Sequence, residues 1–140
     1  MRPSFEDIYI SAALRMSQRS TCARLRVGCV ITSEDSRYVF GIGYNGNATG
    51  LPNECDSTEV GNCGCLHAEE NAVINCRSSR AERKVVYCTH LPCKLCAKRL
   101  INLGGVMRVV YLNDYRIRDS LALFEKVKIE TRQYSIPIEP

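Results

Sequence analysis

The chain has no tryptophan and only three phenylalanines in 140 residues, so it lacks the interleaved aromatics on which single-stranded nucleic acid stacks. It lacks any apolar run approaching the roughly 20 residues that cross a bilayer. Its N-terminal MRPSFEDIYI carries acids where a secretion signal needs an apolar stretch. Charge of one sign is not in excess: the net value is +4 and the lysines and arginines are scattered rather than gathered into a stripe. That argues against a nonspecific duplex binder and is compatible with a small anionic substrate. These absences point to a soluble, intracellular, cytoplasmic protein with no membrane and no nucleic acid among its expected partners. With 45% hydrophobic and 24% charged residues, the chain has a core to bury, and its length suits one domain, residues 1–140.

What the sequence has in abundance is cysteine, nine residues in all. An odd number without a secretion signal argues for metal ligands and a few buried thiols rather than a disulfide framework.

Apolar periodicity alternates between helical and strand patterns on the short cycle of an α/β domain. Ser4 is placed to cap a first helix, with Phe5, Ile8, Ala12 and Met16 at helical spacing. Val27 to Thr32 and Tyr38 to Tyr44 read as a hairpin across SEDSR. Asn45 to Leu66 is aperiodic and long for an unsupported loop, so something must staple it. HAEENAVINC from His67 predicts a second helix and KVVYCT a third strand. Pro92 suits the first turn of a third helix, CKLCAKRLINLG, which Gly104 and Gly105 end. VMRVVYL, RDSLALFEKV and VKIETRQ then predict strand, helix and strand. The last three strands, each joined by a helix, are expected to be parallel neighbours. The tail YSIPIEP has an extended composition and no assigned place.

Four residues in this framework carry chemistry. His67 opens the second helix, and Cys93 and Cys96 open the third, so one nitrogen and two sulfurs project from helix starts. Three mixed ligands leave a fourth tetrahedral position for water, which is the layout of a catalytic zinc. Helix N-termini favour thiolate over thiol. Glu69 is placed to take a proton from water and deliver it to a leaving group. The spacing H-x-E followed by P-C-x-x-C is the signature of zinc deaminases acting on nucleobase rings. A redox pair, or half of a structural zinc ribbon, would need neither His67 nor Glu69.

Beyond that signature the chain resembles the cytidine and deoxycytidylate deaminase family, most closely its deoxycytidylate (dCMP) branch. The resemblance rests on RSTCARLRVGCVI (Arg19 to Ile31), GYNGNATG (Gly43 to Gly50), LHAEENA (Leu66 to Ala72) and THLPCKLCAKRLINLGG (Thr89 to Gly105). It implies an α/β fold, a three-layer α-β-α cytidine-deaminase-like arrangement with a five-stranded mixed sheet. It also implies zinc-dependent hydrolysis of dCMP to dUMP and ammonia through attack on C4 of cytosine. Family members of this kind are often homo-hexamers under allosteric control by dCTP and dTTP. Alternative readings are dCTP or nucleic-acid cytosine as substrate, or a non-catalytic zinc module that binds nucleic acid.

The resemblance places Asn45 against the substrate sugar, although Asn45-Gly46 is also a turn signal in its own right. Either Arg24 or Arg26 can meet a 5′-phosphate, or both are a solvated pair. Tyr115 matches a recurrent aromatic near the pocket mouth. His90 is expected to line the pocket or face solvent rather than bind metal. Cys29, Cys76 and Cys88 read as buried apolar residues. Cys22 and Cys55 resemble ligands of a second, structural zinc in some family members. Cys63 and Cys65 complete that set by spacing, and the site would staple the long loop.

Overall fold

Ser4 does start a helix. In the structure, a computed structural model that describes residues 2–135, its hydroxyl accepts the Asp7 N–H at 3.1 Å and α1 runs Phe5–Ser17. The remaining elements are β1 (Gly28–Ser33), β2 (Val39–Tyr44), α2 (Ala68–Ile74), β3 (Lys84–His90), α3 (Lys94–Leu103), β4 (Val106–Asn113), α4 (Asp119–Lys126) and β5 (Glu130–Gln133). Residues 136–140 of the tail lie outside the described residues.

The strands form one sheet in the order β2-β1-β3-β4-β5. The short β1–β2 connection makes that pair antiparallel, and β1 is also antiparallel to β3. Helices α3 and α4 carry the chain back across the sheet, so β3, β4 and β5 are parallel, as their helical connections predict. Side chains alternate between the two faces. Val30, Val85, Tyr87 and Val110 pack with Ile10 and Ala13 of α1. Cys29, Ile31, Val86, Cys88 and Val109 pack with Ala68 and Ala72 of α2, Ala97 and Leu100 of α3, and Phe124 of α4. The result is three layers: α1, the sheet, then α2, α3 and α4.

Edge strand β2 is locked to α2. Glycines at Gly41 and Gly43 let the helix backbone come so near that a Cβ on Gly43 would stand 2.4 Å from the Ala68 carbonyl oxygen. The outward carbonyls of the strand are also satisfied: Asn71 Nδ2 donates to Tyr44 O at 2.8 Å, Asn75 Nδ2 to Ile42 O at 3.0 Å, and the Arg77 N–H to Phe40 O at 2.8 Å. An edge filled in this way offers few free groups to another strand. At the start of the central strand β3 the buried Lys84 ammonium donates to Ser79 O, Glu82 O and Gly104 O at 2.7–2.8 Å.

Several boundaries differ from the sequence expectation. Cys93 is the N-cap of α3 rather than a first-turn residue, so Pro92 precedes the helix. β5 begins at Glu130, because Val127 caps α4 and Lys128 takes a left-handed φ of 62° that turns the chain first. α2 ends at Ile74, where the Asn75 side chain leaves for β2.

Candidate active site and metal centres

The starts of α2 and α3 and the carboxyl ends of β3 and β4 meet at one side of the sheet, the position where open α/β sheets bind ligands. His67 is the N-cap of α2, Cys93 the N-cap of α3, and Cys96 lies in the first turn of α3. His67 Nδ1 is 3.5 Å from Cys93 Sγ and 3.2 Å from Cys96 Sγ, and all three donor atoms lie within 4.8 Å of one another. A tetrahedral zinc with bonds of about 2.3 Å to sulfur and about 2.0 Å to nitrogen separates such atoms by about 3.5 Å. The set therefore fits the metal. The hydrogen bond with Cys96 and the neighbouring His67 hold the Cys93 thiol down to about 3, the ionised state a ligand needs. The same contact with Cys93, with burial, pushes the Cys96 thiol up, and Cys93 raises His67.

Glu69 is 4% exposed. Burial pushes its carboxyl up to about 6, against the opposing pull of Cys96 and His67. A carboxyl poised near neutrality can both accept and return a proton.

A cavity of about 600 Å³ opens over these residues, within the range of small-molecule sites. Asn45 lines it, but much of its amide is engaged: Oδ1 accepts the Val27 N–H at 2.8 Å and Nδ2 donates to Leu25 O at 2.6 Å. One N–H and one lone pair remain. Arg24 lines the cavity. Arg26 does not: it is exposed, and its neighbours Leu25 and Val27 take the lining positions. Tyr115 and His90 both line the cavity, and His90 Nδ1 is 3.0 Å from the Thr89 hydroxyl. Sequence reasoning missed Asn113, Asp114 and Arg116, which follow β4 into the same cavity. The Arg116 guanidinium stands 5.8 Å from the Tyr115 ring centroid. The available signal was positional, since NDYR leaves the carboxyl end of a parallel strand.

The second cysteine group also comes together. The sulfurs of Cys22, Cys55, Cys63 and Cys65 lie within 4.8 Å of one another. Cys55 Sγ is 3.8 Å from that of Cys22 and 3.7 Å from that of Cys65. Four thiolates about 2.3 Å from a tetrahedral zinc stand about 3.8 Å apart, so this set fits a closed site. It gathers the loop between β2 and α2, which is also tied by the bridge between Gly46 and Leu66, one residue before His67. Burial pushes the Cys22 thiol up, but hydrogen bonds from the Leu25 and Arg24 backbone and with the Cys55 and Cys65 sulfurs together bring it down to about 7. All nine cysteines are free thiols. Cys29 and Cys88 are fully buried, whereas Cys76 is only half-buried.

A family model described as the cytidine and deoxycytidylate deaminase zinc-binding region matches residues 3–113. The chain is similar to the deoxycytidylate deaminase of Saccharomyces cerevisiae, at 34% identity over 100% of this chain and 48% of the yeast protein. It is 33% identical to the deoxycytidylate deaminase of Schizosaccharomyces pombe, over 97% of this chain and 46% of that protein. The chain thus spans about half the length of these curated relatives. The crystal structure of dCMP deaminase from the cyanophage S-TIM5 in complex with dCMP and dUMP superposes with a TM-score of 0.84 at 30% identity. That match covers 96% of this chain and 99% of the phage chain. The three-layer fold with its mixed five-stranded sheet is therefore the one the motifs implied.

Proposed function

The chain belongs to the cytidine and deoxycytidylate deaminase family, and from that premise we propose that it hydrolyses dCMP to dUMP and ammonia. The observation that carries this reading is the convergence of His67, Cys93 and Cys96 beside the buried Glu69 in one nucleotide-sized cavity. Zinc held by those three ligands supplies Lewis-acid activation of water. Glu69 takes the proton of the attacking water, holds it on a carboxylate oxygen and returns it to the departing amino group. Leu25, Val27 and Leu91 give the cavity an apolar wall suited to a pyrimidine. Asn45 keeps the 25–27 segment in place and offers its remaining N–H and lone pair to the sugar. Arg24 and Arg116 bring the positive charge a 5′-phosphate requires, with Tyr115 beside Arg116.

Two metals complete the reading: a catalytic zinc on His67, Cys93 and Cys96, and a structural zinc on Cys22, Cys55, Cys63 and Cys65. The near-tetrahedral sulfur spacing at Cys55 supports the second. Nine unpaired thiols suit a reducing, intracellular compartment. Among the described residues no helix is long and apolar enough to cross a membrane. The family resemblance further suggests a homo-hexamer with dCTP and dTTP as effectors, which sedimentation and effector titration address.

The substrate is tested by incubating the zinc-loaded protein with dCMP, dCTP, deoxycytidine and a cytosine oligonucleotide while following ammonia release. The reading expects dCMP to give the highest kcat/KM by at least about tenfold, since the other substrates lack the phosphate contact or must fit extra groups into the cavity. A preference for dCTP or the oligonucleotide would reassign the substrate. No ammonia from any of them would remove the activity.

A further inference from the structure

Two charged residues stand one helical turn behind the candidate ligands. Glu70 follows His67 by three positions at the start of α2, and Arg99 follows Cys96 by three positions on α3. That spacing places each on the same side of its helix as the ligand before it. The two meet, with Arg99 Nη2 3.2 Å from Glu70 Oε2. The other carboxylate oxygen, Oε1, accepts the backbone N–H of His67 at 2.9 Å, the return half of a capping box. Ordinary capping would need only this second bond, which stays within α2. The bond to Arg99 crosses to the helix that carries both thiols.

We infer that Glu70 is a positioning residue for the catalytic metal centre. One carboxylate holds the residue that presents the imidazole and the helix that presents the sulfurs, so it sets how far His67 stands from Cys93 and Cys96. Its side chain is 17% exposed and that of Arg99 37%, so the pair is partly shielded from solvent, unlike the fully solvated ion pairs that contribute almost nothing. It does not line the cavity, whereas its neighbour Glu69 does, so the adjacent acids divide the work: Glu69 faces the substrate and Glu70 ties the ligand helices together. Partners that orient ligands from behind in this way are worth about ten- to hundredfold in metal affinity or activity.

The inference rests on the zinc reading of His67, Cys93 and Cys96, and the test separates the two. Zinc release to a chromogenic chelator is timed, and the phase belonging to the catalytic centre is identified as the one missing in Cys93→Ala. Cobalt-substituted protein gives the visible spectrum of the same centre, and a thermal melt reports stability. Glu70→Ala, which loses both bonds, is expected to release the catalytic metal about ten- to hundredfold faster and to shift the cobalt spectrum. Glu70→Gln keeps an oxygen for the His67 N–H and Arg99→Met removes only the crossing bond, so each should fall between Glu70→Ala and wild type. Adding Arg99→Met to Glu70→Ala should change release little further, because the shared contact is already gone. Should Glu70→Ala fail to fold, Arg99→Met decides: faster release supports the role, and a wild-type rate and spectrum overturn it. Wild-type release and spectrum in a folded Glu70→Ala, even with a lowered melting temperature, overturn it too. If wild-type protein has no phase that Cys93→Ala removes, the zinc reading itself fails and this one falls with it.

Discussion

Replacing one hydrogen of Gly43 with a methyl group should damage catalysis from across the α2–β2 contact. A Cβ on this residue would stand 2.4 Å from Ala68 O and 2.5 Å from Ala72 N, where ordinary van der Waals contact begins at 3.4 Å. Both neighbours are helix backbone, so α2 must retreat by about 1 Å, the difference between 3.4 and 2.4 Å. The helix cannot retreat without its N-terminal turn, which presents His67 and Glu69. Forced overpacking of this kind costs about 1–3 kcal/mol of stability. A misplacement of about 1 Å at reacting groups costs about a hundredfold in rate. Gly43→Ala should therefore fold, melt at a lower temperature and lose about two orders of magnitude in kcat for dCMP, measured as ammonia release from protein of verified zinc content. Wild-type kcat in a folded Gly43→Ala would show that α2 does not have to sit where it does, and the close approach of helix and strand would lose its functional meaning.

Other perturbations give separable outcomes. Lys84→Met leaves Ser79 O, Glu82 O and Gly104 O without their ammonium donor. These carbonyls belong to residues that are exposed or only half-buried, so water can reach part of them, and with the cost of burying a cation also removed the variant should be destabilised by about 1–3 kcal/mol in denaturant titration; an unchanged midpoint would mean water replaces the ammonium. Cys55→Ser should lower metal content from two zincs per chain to one while Glu69-dependent turnover persists at reduced stability, and retention of both metals would sink the four-cysteine site. Arg116→Ala and Arg24→Ala should each lower kcat/KM for dCMP by about ten- to hundredfold and leave deoxycytidine nearly unchanged, because a charge-assisted hydrogen bond to phosphate is worth about 1.5–3 kcal/mol. If both variants keep the wild-type preference for dCMP, the phosphate is bound by other groups.

The clustering of the candidate metal ligands was legible because it is tied to local spacing. His67, Cys93 and Cys96, with Glu69 beside them, sit at two helix starts, and helix starts announce themselves through a proline, a change of period and a following apolar stripe. The parallel order of β3, β4 and β5 was legible for a related reason, since helical crossovers leave little choice of topology. Arg116 was overlooked although the resemblance places its neighbour Tyr115 at the pocket, because the signal that brings it there is its position after the carboxyl end of a parallel strand and not a motif. The start of β5 was misplaced where an exposed lysine, Lys128, adopts a left-handed turn that composition does not reveal. Asn45 was legible as a pocket residue, yet its bracing of Leu25 and Val27 depends on a strand-to-loop approach visible only in three dimensions. Gly43 reads as part of the second strand and of the GYNGNATG motif, with no packing role; the helix packed on it supplies that role.

Glu69→Gln, purified with zinc and assayed on dCMP, bears on the chemistry with the fewest intermediaries. The amide keeps the size of the side chain and cannot take up and return a proton, so the variant should bind zinc at the wild-type stoichiometry, melt at or above the wild-type temperature and turn over several orders of magnitude more slowly. Melting should not fall, because a neutral amide of the same size replaces a buried carboxyl whose charged form burial disfavours. A zinc-loaded Glu69→Gln that releases ammonia from dCMP at near the wild-type rate would contradict the assignment of Glu69 as proton carrier and, with it, the mechanism drawn from this site.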